Sequence, residues 1–333
     1  METTSFAIAS YCVPCRAHCR YCLLASPGQT CGVDYARSER FARRVLEELG
    51  QTRPGLSAIF YIGYCMDTPH LRDFIRFSGE HGGPGARFLQ MNGFAFRDDR
   101  ELASLMGMIR GEGVETVDLT FYGTEAFHDR FAGREGDFRF LTRMLSAAGK
   151  AGLAVHVSMP LMRDNLDQAE ELCRFLDAYP VAERTAFLPH TKGRGRDLAE
   201  QRITKAMFDR LPERVRGVFA RTPHRTEAEW IAAGDWEEPA RRNLTLVLTG
   251  DRIDALEAMS AEEILASLEA LDDRFLAEMP SARELARRYG DPDGSRLFRR
   301  RDLILLWQQR FLAETGGALY DMHDETHSFS VHT

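Results

Sequence analysis

No apolar run of about 18 residues occurs anywhere in the 333-residue chain, so a membrane-spanning helix is not expected. Nor does a basic segment followed by an apolar one stand near the start, so no secretory leader is expected. Positive charge is not in excess: 43 Lys and Arg stand against 50 Asp and Glu. The net charge of −7 argues against a nucleic-acid binder that works by general electrostatics. Internal repeats and low-complexity segments are absent, and no cysteine follows Cys173. What is present is ordinary: 44% hydrophobic and 28% charged residues, enough to bury a sizeable core in one large domain, or one domain with an extension.

The cysteines are not ordinary. Four of seven fall within eleven residues, Cys12, Cys15, Cys19 and Cys22, directly after the short apolar run beginning at Phe6. Clustered thiolates repel unless a cation neutralises them, so metal is the first expectation. A closed zinc site takes two ligand pairs with a spacer that lets the chain wrap round the tetrahedron. Here only Arg16, Ala17 and His18 separate the pairs, which is cramped for zinc and suits three thiolates on one face of an iron–sulfur cube. Zinc and plain reduced cysteines remain the alternatives. Cys12 reads as a structural thiol beside the site, Cys173 as core, and Cys31 has no assigned role.

Further along, apolar runs bounded by Gly, Pro and Asn alternate with helical periodicity. Strands are predicted over 56–62, 86–91, 116–121, 153–159 and 185–188, with the first near residue 6. Helices are predicted over 34–49, 98–110, 138–151 and 166–178, with another between the second and third strands. Alternation of this kind implies parallel βαβ units wound right-handedly. Beyond about residue 200 the pattern turns mainly helical, with one apolar run over 244–249, a capping box at Ser260–Glu263 and a packed helix over 302–312.

Cys15-x3-Cys19-x2-Cys22, with the aromatic Tyr21 before the last cysteine, resembles the motif of the radical S-adenosylmethionine (SAM) superfamily. The resemblance runs through about 185 residues and is nearest the cofactor-biosynthesis and peptide-modifying branches. It implies an α/β fold: a partial six-stranded (β/α) barrel over 1–199, with a mainly helical C-terminal extension over 200–333 for substrate recognition or as a lid. It also implies that Cys15, Cys19 and Cys22 bind a [4Fe-4S] cluster, whose open iron takes SAM and whose electron yields a 5′-deoxyadenosyl radical that abstracts hydrogen. A small-molecule or peptide substrate is implied, as is an electron donor such as flavodoxin or ferredoxin. Reduced cysteines and an oxygen-sensitive cluster point to the cytoplasm.

Other implied contacts can be placed one by one. Gly63 stands where relatives carry a Gly-Gly-Glu that meets the SAM amino group, with Asp67 a shifted substitute for the acid. Asn92 keeps the Asn-Gly turn after the third strand. Thr120 ends the fourth strand within reach of the SAM ribose or carboxylate, and Tyr122 replaces an acid usual in relatives. Tyr21 and Arg194 complete the cofactor contacts. The loop from Pro189 to Arg196 is cationic and Gly-rich, fit to pair with the SAM carboxylate or an acidic substrate, or else simply solvated. His128 to Phe138 resembles a family segment and reads in plain terms as a loop locking the fourth helix to the barrel. Cys65 is either an inert thiol or a hydrogen donor of the kind radical SAM epimerases use. The polar tail around His323, Asp324 and His327 is a mobile end or a lid. Without cysteine after Cys173, no auxiliary-cluster domain is expected.

Overall fold

The computed structural model describes residues 1–10, 15–22, 32–62, 67–236 and 240–324. Its elements in order are β1 Glu2–Ser10, α1 Tyr35–Thr52, β2 Ser57–Ile62, α2 Leu71–His81, β3 Phe88–Gln90, α3 Asp99–Gly111, β4 Thr116–Thr120, α4 Glu125–Ala132, α5 Asp137–Lys150, β5 Ala154–Pro160, α6 Ala169–Leu176 and β6 Glu183–Phe187. After these come α7 Lys205–Asp209, α8 Glu213–Arg216, β7 Arg225–Thr226, α9 Glu227–Ala233, β8 Arg241–Leu248, α10 Ile253–Glu257, α11 Ala261–Glu278, α12 Ala282–Tyr289, β9 Leu297–Phe298, α13 Arg300–Thr315 and α14 Asp321–Asp324.

Local chemistry explains the helices. In α1, Asp34 caps the first turn by accepting from the Arg37 amide at 3.1 Å, and Phe41, Ala42, Val45, Leu46 and Leu49 repeat at helical spacing on the buried face. Asp98 and Glu101 form a capping box at α3, and Ser260 and Glu263 another at α11. The strands read differently because both faces are covered: Phe6, Ile8, Ala9 and Ser10 of β1 are all buried.

Two parallel sheets result, ordered β2-β1-β8 and β3-β4-β5-β6. The six strands expected before residue 190 are present. The apolar run of the C-terminal part supplies β8, which pairs in parallel with β1 from Glu2↔Arg241 to Ser10↔Leu248. The barrel sheet therefore draws on both sides of residue 199/200. Phe6, Phe60, Leu89, Val117, Val155 and Leu246 belong to one continuous core, so the two sheets enclose a common interior as an open (β/α) barrel. Asp67, after β2, bridges the sheets by accepting from the Ala95 amide at 2.7 Å and pairing with Arg97.

A second core lies in the C-terminal part, around Trp230, Leu285, Phe298, Leu303 and Trp307. Both indole N–H groups are satisfied there: Trp307 donates to Glu227 Oε1 and Trp230 to the Phe298 carbonyl, each at 2.9 Å. This core is tied to the end of β6, where Thr191 Oγ1 donates to the Asp302 carbonyl at 2.9 Å and Gln309 Nε2 donates to the Thr191 carbonyl at 2.8 Å. The extension thus packs against the C-terminal ends of the strands, where (β/α) barrels carry their chemistry. Among the described residues, no helix is long and apolar enough to cross a membrane.

Candidate functional site

The segment Cys15 to Cys22 lies across the C-terminal ends of the strands, held by its own backbone. The amides of Arg16, His18 and Arg20 donate in alternation to the carbonyls of Gly93, Ala132 and Phe131, at 2.9, 2.7 and 3.1 Å. The Arg194 amide donates to the Cys22 carbonyl at 2.9 Å, which brings the loop after β6 against the last cysteine. Gly133 makes this docking possible. Its φ is +64°, and a Cβ there would stand 3.1 Å from the His18 Cβ.

Around Cys19 the side chains interlock. Tyr122 donates from its hydroxyl to the Cys19 sulfur at 3.0 Å. Tyr21 meets the Tyr122 ring edge-on at 5.5 Å, and its phenol hydrogen-bonds the side chains of Thr120 and Tyr122. Asn92 clamps the ends of β3 and β4: its Oδ1 accepts from the Thr120 amide at 2.7 Å and its Nδ2 donates to the Thr120 carbonyl at 3.0 Å. Burial pushes the Cys19 thiol well above the usual range; the Tyr122 hydrogen bond opposes this, while Cys15 and Cys22 add to it by like charge. The same desolvation raises the phenols of Tyr21 and Tyr122.

Behind these residues runs a buried polar chain. His128 accepts from the Tyr122 amide at Nδ1 (3.2 Å), and its Nε2 meets Asp137 Oδ2 at 3.1 Å. Asp137 Oδ1 accepts from Arg134, which also donates to the Phe94 carbonyl at 2.7 Å. Asp129 takes the amides of Gly136 and Phe138. The locking role expected for this segment is what its bonds perform, although residues 125–132 form the helix α4 rather than a loop. Gly133 ends that helix in the left-handed conformation, which is why a two-turn helix fits there.

Of the residues singled out in the sequence, Cys15, Cys19, Cys22, Tyr21, Asn92, Thr120 and Arg194 gather at one end of the barrel. Gly63, Cys65, Cys12, Cys31 and His327 lie outside the described residues. Cys173 is buried in the main core, as expected. Asp67 carries the sheet-to-sheet bridge with both of its carboxylate oxygens. His323 sits at the opposite end. It hydrogen-bonds Asp272 at 3.0 Å and stacks on Phe275 at 4.0 Å, beside Arg242 at the start of β8. That placement takes it away from the barrel mouth and ties α14 to α11.

Two residues have contacts that the sequence does not announce. Tyr122 was seen only as the replacement for an acid, yet a tyrosine two residues past Thr120 projects from the same strand end toward the cysteines. His190 packs its ring 5.5 Å from that of Tyr21 and accepts from the Lys192 amide at Nδ1, and burial lowers its pKa to about 3. Nothing in the local sequence distinguishes it from a solvated loop histidine.

No family model matches the chain, and no curated protein matches it. Several solved structures are similar. Streptococcus suis SuiB bound to precursor peptide SuiA is 11% identical over 66% of this chain and 49% of that one, with a TM-score of 0.48. Native anSMEcpe with bound AdoMet is 14% identical over 73% and 72%, with a TM-score of 0.43. Coproporphyrinogen III oxidase (HemN) from Escherichia coli, a radical SAM enzyme, is 12% identical over 93% and 91%, with a TM-score of 0.40. The chain spans about half the length of the first of these. At identities this low, what the chain does is read from its own residues.

Proposed function

We propose that this chain is a radical SAM enzyme in which Cys15, Cys19 and Cys22 hold a [4Fe-4S] cluster. The observation that carries the reading is a thiol-bearing segment with the spacing x3, x2, laid across the C-terminal strand ends and donating its amides to the turn after β3 and to the last residues of α4. Among the described residues no three His, Cys, Asp or Glu side chains are arranged to hold a metal ion, so the fit is one of donor chemistry. That fit is good. Cys19 is desolvated beside two further thiols, a grouping that a soft cation stabilises and water does not. A cluster bound there supplies the electron for reductive cleavage of SAM to a 5′-deoxyadenosyl radical.

The chain's own residues do the rest. Tyr122 hydrogen-bonds the Cys19 sulfur and orients it. Asn92 fixes the end of β4 and retains one amide hydrogen and one lone pair for SAM. Thr120, Tyr21, Gly63 and Arg194 are assigned to the same cofactor. The C-terminal core, packed over the end of β6, excludes water from one side of the mouth and borders the substrate. A small molecule or a peptide is the substrate class, with a flavodoxin- or ferredoxin-type electron donor.

Anaerobic reconstitution with iron and sulfide tests this. The expected product is a brown protein that cleaves SAM to 5′-deoxyadenosine on reduction, even without substrate. A colourless protein that instead takes up one zinc per chain overturns the reading in favour of a structural metal site.

A further inference from the structure

Where the C-terminal core meets the end of β6, two guanidiniums share one buried carboxylate. Asp302 accepts from Arg299 Nε at 2.5 Å and lies 3.9 Å from Arg202. Arg202 is fully engaged: it also donates to the carbonyls of Pro189 and Leu297 and lies 4.5 Å over the Phe298 ring. Arg299 is not. Its Nε is pinned, while its two terminal amino groups make no hydrogen bond among the described residues. One positive charge is therefore left over, on a side chain only 18% exposed.

Two imidazoles lie within the influence of this charge, and His190 stands between Pro189 and Thr191, whose backbone and side chain bond Arg202 and Asp302. His190 and His224 both feel Arg299, Arg202 and Asp302, and each has its Nε2 buried without a partner among the described residues. His190 accepts at Nδ1, so its neutral ring carries the proton on the unpartnered Nε2. A buried donor without an acceptor is costly in a finished fold unless a ligand completes it. Lys192 and Arg301 add positive charge nearby.

We infer that Arg299, His190 and His224, set around the Arg202–Asp302 pair, form a binding site for an oxyanion, a carboxylate or phosphate, carried by the substrate. This rests on the function proposed above. Arg299 offers a fork whose orientation is already fixed by Asp302, the arrangement that recognises planar oxyanions with little loss of freedom. SAM also carries a carboxylate, and of the residues assigned to it Asn92 and Thr120 lie at the ends of β3 and β4 while Arg194 lies in the loop after β6, so SAM is titrated beside the anions. The oxyanion cluster sits beside the loop after β6, two strands from β4 in the sheet, and draws four of its five members from the C-terminal part. That division favours the substrate.

Calorimetric titration of the full chain with glutarate and with inorganic phosphate, in low-chloride buffer, tests the site, and SAM is titrated in parallel. Saturable binding of at least one anion is expected. Arg299→Met should weaken it at least about tenfold, as loss of a charge-assisted fork does. Because Arg299→Met also strips Asp302 of its nearest cation, His190→Phe is the second arm; it keeps the ring against Tyr21 and should weaken anion binding about threefold or more. SAM affinity should be unchanged in both. Absence of anion binding by the wild-type chain overturns the site. Equal loss of SAM affinity in Arg299→Met overturns it too, by assigning the cluster to SAM's own carboxylate. The anion titration is read whether or not the chain takes up iron, so its failure is distinct from failure of the radical SAM reading.

Discussion

Replacing Tyr122 with Phe removes one atom from the site, the hydroxyl that lies 3.0 Å from the Cys19 sulfur. The ring stays, packed on His128 at 5.0 Å and on Phe131 at 4.7 Å, so no cavity opens. A hydrogen bond to a charged acceptor contributes about 1.5–3 kcal/mol. A redox potential reports only the part that differs between two oxidation states. Taking that as about half, and about 59 mV per tenfold change in a one-electron equilibrium, the shift is about 30–60 mV. Its sign follows from charge: the donor stabilises the more electron-rich state, so its loss makes the potential more negative. The assay is a redox titration of the reconstituted protein followed by electron paramagnetic resonance, with iron content and melting temperature measured alongside. A potential unchanged within about 15 mV, in a variant with full iron and normal melting, refutes the argument that Tyr122 acts on the cluster through Cys19.

Other outcomes follow from neighbouring contacts. Asn92→Ala leaves the buried Thr120 amide and carbonyl without their partner, and should lower stability in urea by about 1–3 kcal/mol while weakening SAM binding. Gly133→Ala forces a side chain into a left-handed position against His18, and should reduce iron loading of the cysteine segment more than it lowers the melting temperature; retained loading counts against the docking described. His190, neutral down to about pH 3 when folded, takes a proton near its ordinary 6.5 when unfolded. Stability should therefore fall as pH drops from 6.5 toward 3, and comparison with His190→Phe should show that component missing. His323→Ala should destabilise the chain through α11 yet leave the product formed per SAM consumed unchanged, because His323 lies at the far end of the barrel.

The strands were legible because each is a short apolar run closed by a turn, and the cysteine end was legible because spacing alone distinguishes Cys15, Cys19 and Cys22. The place of 244–249 was not. A run such as Leu244 to Leu248 looks the same whether it stands alone or pairs with β1, and only the register with Phe6 and Ile8 reveals it as part of the barrel. The helix at Glu125–Ala132 was hidden by its length, since two turns give too few repeats to show a period. Asn165 accepts from the Met162 amide and donates to the carbonyls of Tyr122 and Pro160, tying β4 to β5. Long-range bonds of that kind, like the meeting of Arg299 with Arg202 across almost a hundred residues of chain, leave no local trace.

Iron bound per chain after anaerobic reconstitution, measured with the visible spectrum for wild type and for Cys12→Ala, Cys15→Ala, Cys19→Ala and Cys22→Ala, bears on everything above. Wild type and Cys12→Ala are expected to hold about four irons each, and the other three variants to lose the cluster and SAM cleavage together. A Cys12→Ala protein as empty as Cys19→Ala, or a Cys19→Ala protein that keeps its iron, contradicts the assignment.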